Sequence, residues 1–150
     1  MRLTLNTDFA LRVLIHAGLN EGRLTTISEI AKSFGISKNH LMKVVNELAQ
    51  KGYLDTVRGR NGGIRLLHKP REINIGRVVR DMEDQLEVLG CLRGKGYCRI
   101  QPACILRDVV RQATDAFIEV FDGYTLADLI KPEKALSSLL FGKSAARRAD

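Results

Sequence analysis

The chain has 150 residues, 45% hydrophobic and 27% charged, enough apolar material for one compact domain with or without an appendage. No run of 18 apolar residues exists, so no bilayer span is expected. The N-terminal "MRLTLNTDFALRVLIHAG" is interrupted by Asn6, Asp8 and Arg12 and lacks a small-residue cleavage site, so it reads as a mature helix and the expected compartment is the cytoplasm. The net charge is +7, and between Lys38 and Arg71 eight Lys or Arg face only Glu47 and Asp55. A positive field concentrated in that way points to a polyanion; an acidic membrane surface is the weaker reading, because no cationic amphipathic helix accompanies the charge.

The first predicted helix starts near Thr7 or Asp8, with Phe9, Val13, Leu14 and Ala17 at helical spacing, and ends in "NEGRL". "TTISEIAKSFG" predicts a second helix. Thr26 and Glu29 have the spacing of a capping box, Ile27, Ile30, Ala31 and Phe34 form the inner side, and Gly35 suits the left-handed position after the last turn. In "ISKNHLMKVVNELAQKG", Ser37 is the N-cap, Leu41, Val44, Val45 and Leu48 point inward, and Gly52 ends the helix. "YLDTV" and "IRLL" predict two strands around "RGRNGG", with Asn61-Gly62 as the hairpin turn. "INIGRVVRDMED" predicts a short amphipathic helix and "ILRDVVRQATDAFIEVFDGY" the longest one. "GYTLADLI" predicts a short helix boxed by Thr125 and Asp128, and "GKSAARRAD" a frayed tail.

The expected fold is mainly α with a small β-hairpin wing: a winged helix-turn-helix plus a long C-terminal dimerisation helix. Residues 1–76 form the expected DNA-binding domain, 77–131 the cysteine loop and dimerisation helix, and 132–150 a tail. The stripe Ile105, Leu106, Val109, Val110, Ala113, Ala116, Phe117, Val120 and Phe121 is wider than a small winged domain covers, so a second subunit is expected against it.

The third helix presents Ser37, Lys38, Asn39, His40, Lys43 and Asn46 on its polar side, a pattern that fits the major groove of duplex DNA. Asn39 and His40, near its N-terminus, are placed to reach base edges, and Lys38 and Lys43 to contact phosphate. Arg58, Arg60, Asn61, Gly62 and Arg65 lie in or beside a hairpin narrow enough for the minor groove, where glycines let backbone N–H groups approach phosphate. "RGRNGG" is no nucleotide-binding loop, since it lacks the Gly-Lys-Ser/Thr ending.

"CLRGKGYCRIQPAC" holds all three cysteines, Cys91, Cys98 and Cys104. The number is odd and the expected compartment reducing, so disulfides do not account for them. The tight pair of a usual zinc site is missing, and His16, His40 and His68 all lie outside the loop. An iron–sulfur cluster fits the wider spacing better, with a fourth ligand from elsewhere or one open position; a zinc site with a distant histidine, or three inert thiols, are the other readings.

The chain resembles the NsrR-type nitric-oxide-sensing repressors, within a broader family of dimeric winged-helix regulators that often carry iron–sulfur clusters (IscR and RirA are relatives). The resemblance covers roughly residues 1 to 131. It is carried by "MRLTLNTDFALR", "ISEIAKSFGISKNHLMKVVNELAQKGYLDTVRGRNGGIRL", the three cysteines, "PAC" and "GYTLADL". It implies a homodimer on palindromic DNA and a [4Fe-4S] or [2Fe-2S] cluster at Cys91, Cys98 and Cys104. In some relatives the fourth ligand is an aspartate of the partner subunit, and the matching residue here is Asp8. By this reading nitric oxide disrupts the ligand set, Asp8 turns to Arg12 one helical turn away, and DNA is released. The interval from Cys91 to Cys98 is longer than the family's commoner spacings, which leaves the cluster type open.

The competing expectations are a winged-helix regulator of iron, cluster supply or redox state, an iron–sulfur electron-transfer protein, and a constitutive DNA binder with structural zinc. No nucleophile–base–orienter set is visible, so the chain is not expected to be an enzyme.

Overall fold

The computed structural model describes residues 2–84, 86, 89 and 98–142. Helix α1 (Leu5–Leu19) begins two to three residues earlier than expected, because Thr4 supplies the cap: its side-chain oxygen accepts from the Thr7 N–H. Thr7, Ala10, Val13, Leu14, His16, Ala17 and Gly18 of α1 are all buried. The helix is the hub of the fold, with the elements that follow packed around it.

Helix α2 (Ile27–Phe34) has the expected capping box: the Thr26 hydroxyl accepts from the Glu29 N–H, and the Glu29 carboxylate accepts from the Thr26 N–H at 2.7 Å. Gly35 closes it at φ +66°, where a side chain would be strained. Helix α3 (Lys38–Gln50) is capped by Ser37 and buries Leu41, Val44, Val45 and Leu48. Fully burying one such side chain stabilises the fold by about 1.5–3 kcal/mol.

The wing is a two-stranded antiparallel ribbon, β1 (Leu54–Val57) on β2 (Gly63–Leu66), with Leu54 opposite Leu66 and Val57 opposite Gly63. Its turn differs from the expected Asn61-Gly62 turn. Arg58 through Gly62 link the strands, and the left-handed residue is Gly59, at φ +110°. Gly62 serves a different need: a Cβ there would stand 2.2 Å from the Val57 carbonyl oxygen. Beyond the ribbon, Thr25 and Ile64 exchange two backbone hydrogen bonds of 2.8 and 2.9 Å, tying the wing to the chain entering α2.

A 3-10 turn (Pro70–Glu72) leads to α4 (Ile75–Met82), which is capped by Asn74 and runs across the boundary expected at residue 76. A second 3-10 turn (Gln101–Ala103) precedes α5 (Ile105–Asp122). Helix α5 packs on α4, and the Arg80 guanidinium forms a two-pronged ion pair with Asp122. Helix α6 (Leu126–Leu129) has the expected Thr125–Asp128 box. The Asp128 carboxyl is held well below the usual range by the Lys131 ammonium first and by the Thr125 N–H second. Helix α7 (Glu133–Phe141) lies inside the stretch expected to be tail; it touches α2, and the Phe141 ring stands edge-on to His16 at 5.1 Å. The expected frayed segment, apart from Gly142, lies outside the described residues.

The α5 stripe divides. Phe117 and Phe121 pack partly against the core, beside Ile118, which is buried although the expected stripe leaves it out. Ile105, Leu106, Val109 and Val120 are 53–77% exposed.

Candidate nucleic-acid interface and cysteine region

The polar side of α3 is open where the sequence places it. Ser37, Lys38, Asn39, Lys43 and Asn46 are exposed. His40 is half-buried, because its ring packs edge-on against Phe9 of α1 at 4.7 Å. Met42 is 48% exposed on the same helix and was not singled out by its pattern. Arg58, Arg60 and Asn61 are exposed at the ribbon tip, and Gly62 is half-buried by the close approach of the chain.

Arg65 stands apart from the other wing cations. Its Nε and Nη2 donate to Asp55 Oδ2 at 2.9 and 2.7 Å, across the register pair of the two strands. Lys51 lies 3.9 Å from Glu47. The two acids of the basic segment are thereby matched. Among the described residues, Lys38, Lys43, Arg58, Arg60, Lys69 and Arg71 make no ion pair. Within the basic segment, those six cations are the charge left for an external anion.

On α1, Asp8 is paired with Arg12: Nη2 to Oδ2 is 2.9 Å and Nε to Oδ1 is 3.1 Å. The Arg12 guanidinium also lies over the rings of Phe9 and Phe34, 5.9 and 5.8 Å from their centres, a cation–π arrangement that links α1 to α2. Two further contacts have no counterpart in the sequence reading. Asn6 Nδ2 donates to Glu47 Oε2 at 2.7 Å, and Glu83 Oε1 accepts from the Thr4 N–H at 2.7 Å and the Thr7 hydroxyl at 2.6 Å. Local pattern carries no trace of them, since the Glu83 partners are 76 and 79 positions away.

Cys98 and Cys104 flank the second 3-10 turn. The Cys98 carbonyl accepts from the Gln101 N–H at 3.0 Å, and Cys104 occupies the N-cap position of α5 without capping it by its side chain. Both are free thiols, half-buried, in a loop-to-helix junction. Cys91 lies outside the described residues. Among the described residues no three His, Cys, Asp or Glu side chains converge as a metal site. The donor chemistry nevertheless fits a thiolate-bound iron centre: two soft ligands uncommitted to the fold, one of which, Cys104, is at the N-terminus of α5, whose dipole favours negative charge.

A helix-turn-helix, a ribbon wing and an uncompensated basic surface define a winged-helix DNA-binding regulator. The profile of the Rrf2 family, described as an iron-dependent transcriptional regulator, matches residues 3–132, and the chain belongs to that family. It is 49% identical over 142 residues to the HTH-type transcriptional regulator NsrR of Geobacillus kaustophilus, covering 93% of this chain and 97% of that protein. It is 48% identical over 142 residues to NsrR of Bacillus subtilis, with the same coverage. Among solved structures, CymR, the global cysteine regulator of B. subtilis, aligns with a TM-score of 0.71 at 25% identity, over 86% of this chain and 95% of that one. T. potens IscR aligns at 0.70 and 22% identity over 88% of each chain, a likeness of fold. The two NsrR relatives are named as transcriptional regulators. No helix among the described residues is long and apolar enough to cross a membrane.

Proposed function

We propose that this chain is a cytoplasmic homodimeric repressor. Two copies of α3 and two wings grip palindromic duplex DNA, and an iron–sulfur centre sensitive to nitric oxide controls the grip. The observation that carries the DNA reading is the set of six unmatched cations on α3, the wing and the segment after it. Asn39 and His40 read base edges in this reading, Ser37, Lys38 and Lys43 lie along the backbone, and Arg58, Arg60, Asn61 and Gly62 follow the minor groove. Arg65 acts mainly by stiffening the wing, because Asp55 already holds it. Residues 1–76 are the reading unit, and 77–131 the sensing and pairing unit. The exposed Ile105, Leu106, Val109 and Val120 of α5 meet the same residues of a second copy, which sets the two reading heads about one DNA turn, roughly 34 Å, apart.

Cys91, Cys98 and Cys104 would hold the centre, with Asp8 of the partner subunit as the fourth ligand. When bound, the centre supplies iron that reacts with nitric oxide. Both Asp8 oxygens face Arg12 here, so serving the other subunit would cost at least part of that two-pronged pair. Transfer of Asp8 to Arg12 re-forms a pair worth about 0.3–0.5 kcal/mol at an exposed helical site. The larger consequence is loss of a tie across the dimer. A ligand shifts such an equilibrium only by its unequal affinity for the two states.

The test is DNA affinity of anaerobically prepared, cluster-loaded protein titrated in parallel with nitric oxide, an iron chelator and oxygen. Nitric oxide is expected to release the duplex at stoichiometric levels. Equal affinity of loaded and stripped protein would overturn the switch, and an unaltered response in Asp8→Ala would remove Asp8 from it. The family's description as iron-dependent favours one second reading, in which iron or cluster supply is the signal. Release by chelator with no response to nitric oxide would establish it.

A further inference from the structure

The chain leaving α4 toward the cysteine loop is fastened to the start of α1 by one carboxylate. Glu83 is the C-cap of α4, and its backbone N–H is bonded to Val79. Its Oε1 accepts three hydrogen bonds from the first turn of α1: the Thr4 N–H at 2.7 Å, the Thr4 hydroxyl at 3.1 Å and the Thr7 hydroxyl at 2.6 Å. A carboxylate at a helix N-terminus meets unpaired N–H groups and the positive end of the dipole, so the contact is directional as well as electrostatic.

The same turn of α1 holds α3. Asn6 donates to Glu47, and Phe9 packs on His40. Asn6 and Phe9 are three apart on α1, and His40 and Glu47 are seven apart on α3, so each pair lies along one helical face. Two contacts about two turns apart set both the height and the tilt of α3.

We propose that Glu83 is a positioning residue for DNA binding: it fixes the first turn of α1, and α1 passes that position to α3 through Asn6–Glu47 and Phe9–His40. Movement at the exit of α4 is thereby felt at the helix proposed to read DNA. The inference rests on α3 being that helix and on nothing bound at the cysteines, so chelator-treated protein tests it.

The probe is a duplex enriched by the wild-type protein from a random-sequence pool. The variants are Glu83→Ala, Glu83→Gln, Asn6→Ala, the Glu83→Ala/Asn6→Ala pair, and Asn39→Ala as the α3 control. Glu83→Ala and Asn6→Ala are each expected to weaken binding at least threefold while retaining the wild-type helical content. The double variant should lie within twofold of the weaker single, because both act on one path. Glu83→Gln, which keeps an acceptor oxygen, should stay within twofold of wild type. Amide exchange should quicken at residues 38–44 as well as at 4–8.

Independent multiplication of the two single effects, exchange changes confined to 4–8, or unchanged affinity in Asn6→Ala overturns the proposal. Unchanged affinity in Asn6→Ala overturns it even if Glu83→Ala does not fold. The coupling of Glu83 is then read from amide exchange at residues 38–44 in Glu83→Gln against wild type, where a faster exchange at 4–8 alone overturns it. Loss of affinity in Asn39→Ala but not in Glu83→Ala or Asn6→Ala refutes the coupling alone; no loss in any of them refutes the α3 reading with it.

Discussion

The described residues up to Met82 and those from Cys98 onward are built on different terms. Eighteen of the twenty buried hydrophobic side chains belong to the first group, and only Ile118 and Leu126 to the second. The first part closes on itself: α1 is surrounded, α3 turns its whole apolar stripe inward, and the wing is tied to the chain entering α2 through Ile64. The longest element of the second part, α5, satisfies its own backbone but covers little of its own surface. Secondary structure is therefore no measure of independence. A helix of 18 residues is expected to draw most of its stability from packing on an apolar face, and Ile105, Leu106, Val109 and Val120 of that face on α5 are exposed.

That contrast can be broken most severely at the seam. Leu106→Glu with Val109→Glu should abolish self-association, read as a fall to single-chain mass by light scattering. It should also weaken binding to a palindromic duplex by roughly 100- to 10,000-fold, because two linked half-sites become one. Next in size, Leu48→Ala should cost about 2–5 kcal/mol of unfolding free energy in urea titration, and the cost should not depend on protein concentration. A concentration-dependent cost would mean that the first part also leans on pairing.

The reading surface comes third. Asn39→Ala should lose about 1–3 kcal/mol on the preferred duplex and relax its sequence preference. Arg60→Ala should weaken all duplexes alike and flatten a salt slope of roughly −5 to −7 by about one per protomer. Thr26→Ala should cost about 1 kcal/mol, since the Thr26–Glu29 box satisfies two otherwise free N–H groups.

The smallest effect concerns pH. Burial of His16 beside Ser33 and Phe141 lowers its pKa, with Glu29 opposing and Arg23 assisting. The unfolded chain then binds the proton more readily, so His16 contributes full stability above an ordinary histidine pKa of about 6.5 and loses it as pH falls toward the folded value. Urea midpoints at pH 7.5 and 5.5 should differ less in His16→Gln than in wild type.

Sequence legibility followed the range of the interaction. The boxes at Thr26–Glu29 and Thr125–Asp128, the Ser37 cap and the Gly35 turn are three- or four-residue events, and all four lie where the pattern places them. The ribbon was legible and its turn was not: Gly62 is required by the nearby Val57 carbonyl, whereas the positive φ falls on Gly59. The start of α1 was displaced because Thr4 outcompetes the later residues as a cap. Helix α7 was hidden because "EKALSSLLF" has a small apolar face and follows directly on Pro132; its placement depends on ring contact with His16, a hundred and more residues away in the chain. At the site, single residues were legible as chemical types, but their partners were not. Arg65 looks like its neighbours in sequence and is bound to Asp55 in space, and nothing near Glu83 announces Thr4 and Thr7.

The backbone bridge between Thr25 and Ile64 has a consequence for kinetics. A free two-stranded ribbon is marginal in water and would have to order itself on arrival at a groove. Held at Ile64, one register pair from its turn, by a third stretch of backbone and cross-braced by Asp55 and Arg65, the wing meets DNA with its backbone shape already set. The backbone that carries its arginines then loses little further freedom on contact, which favours association limited by encounter rather than by rearrangement of the wing.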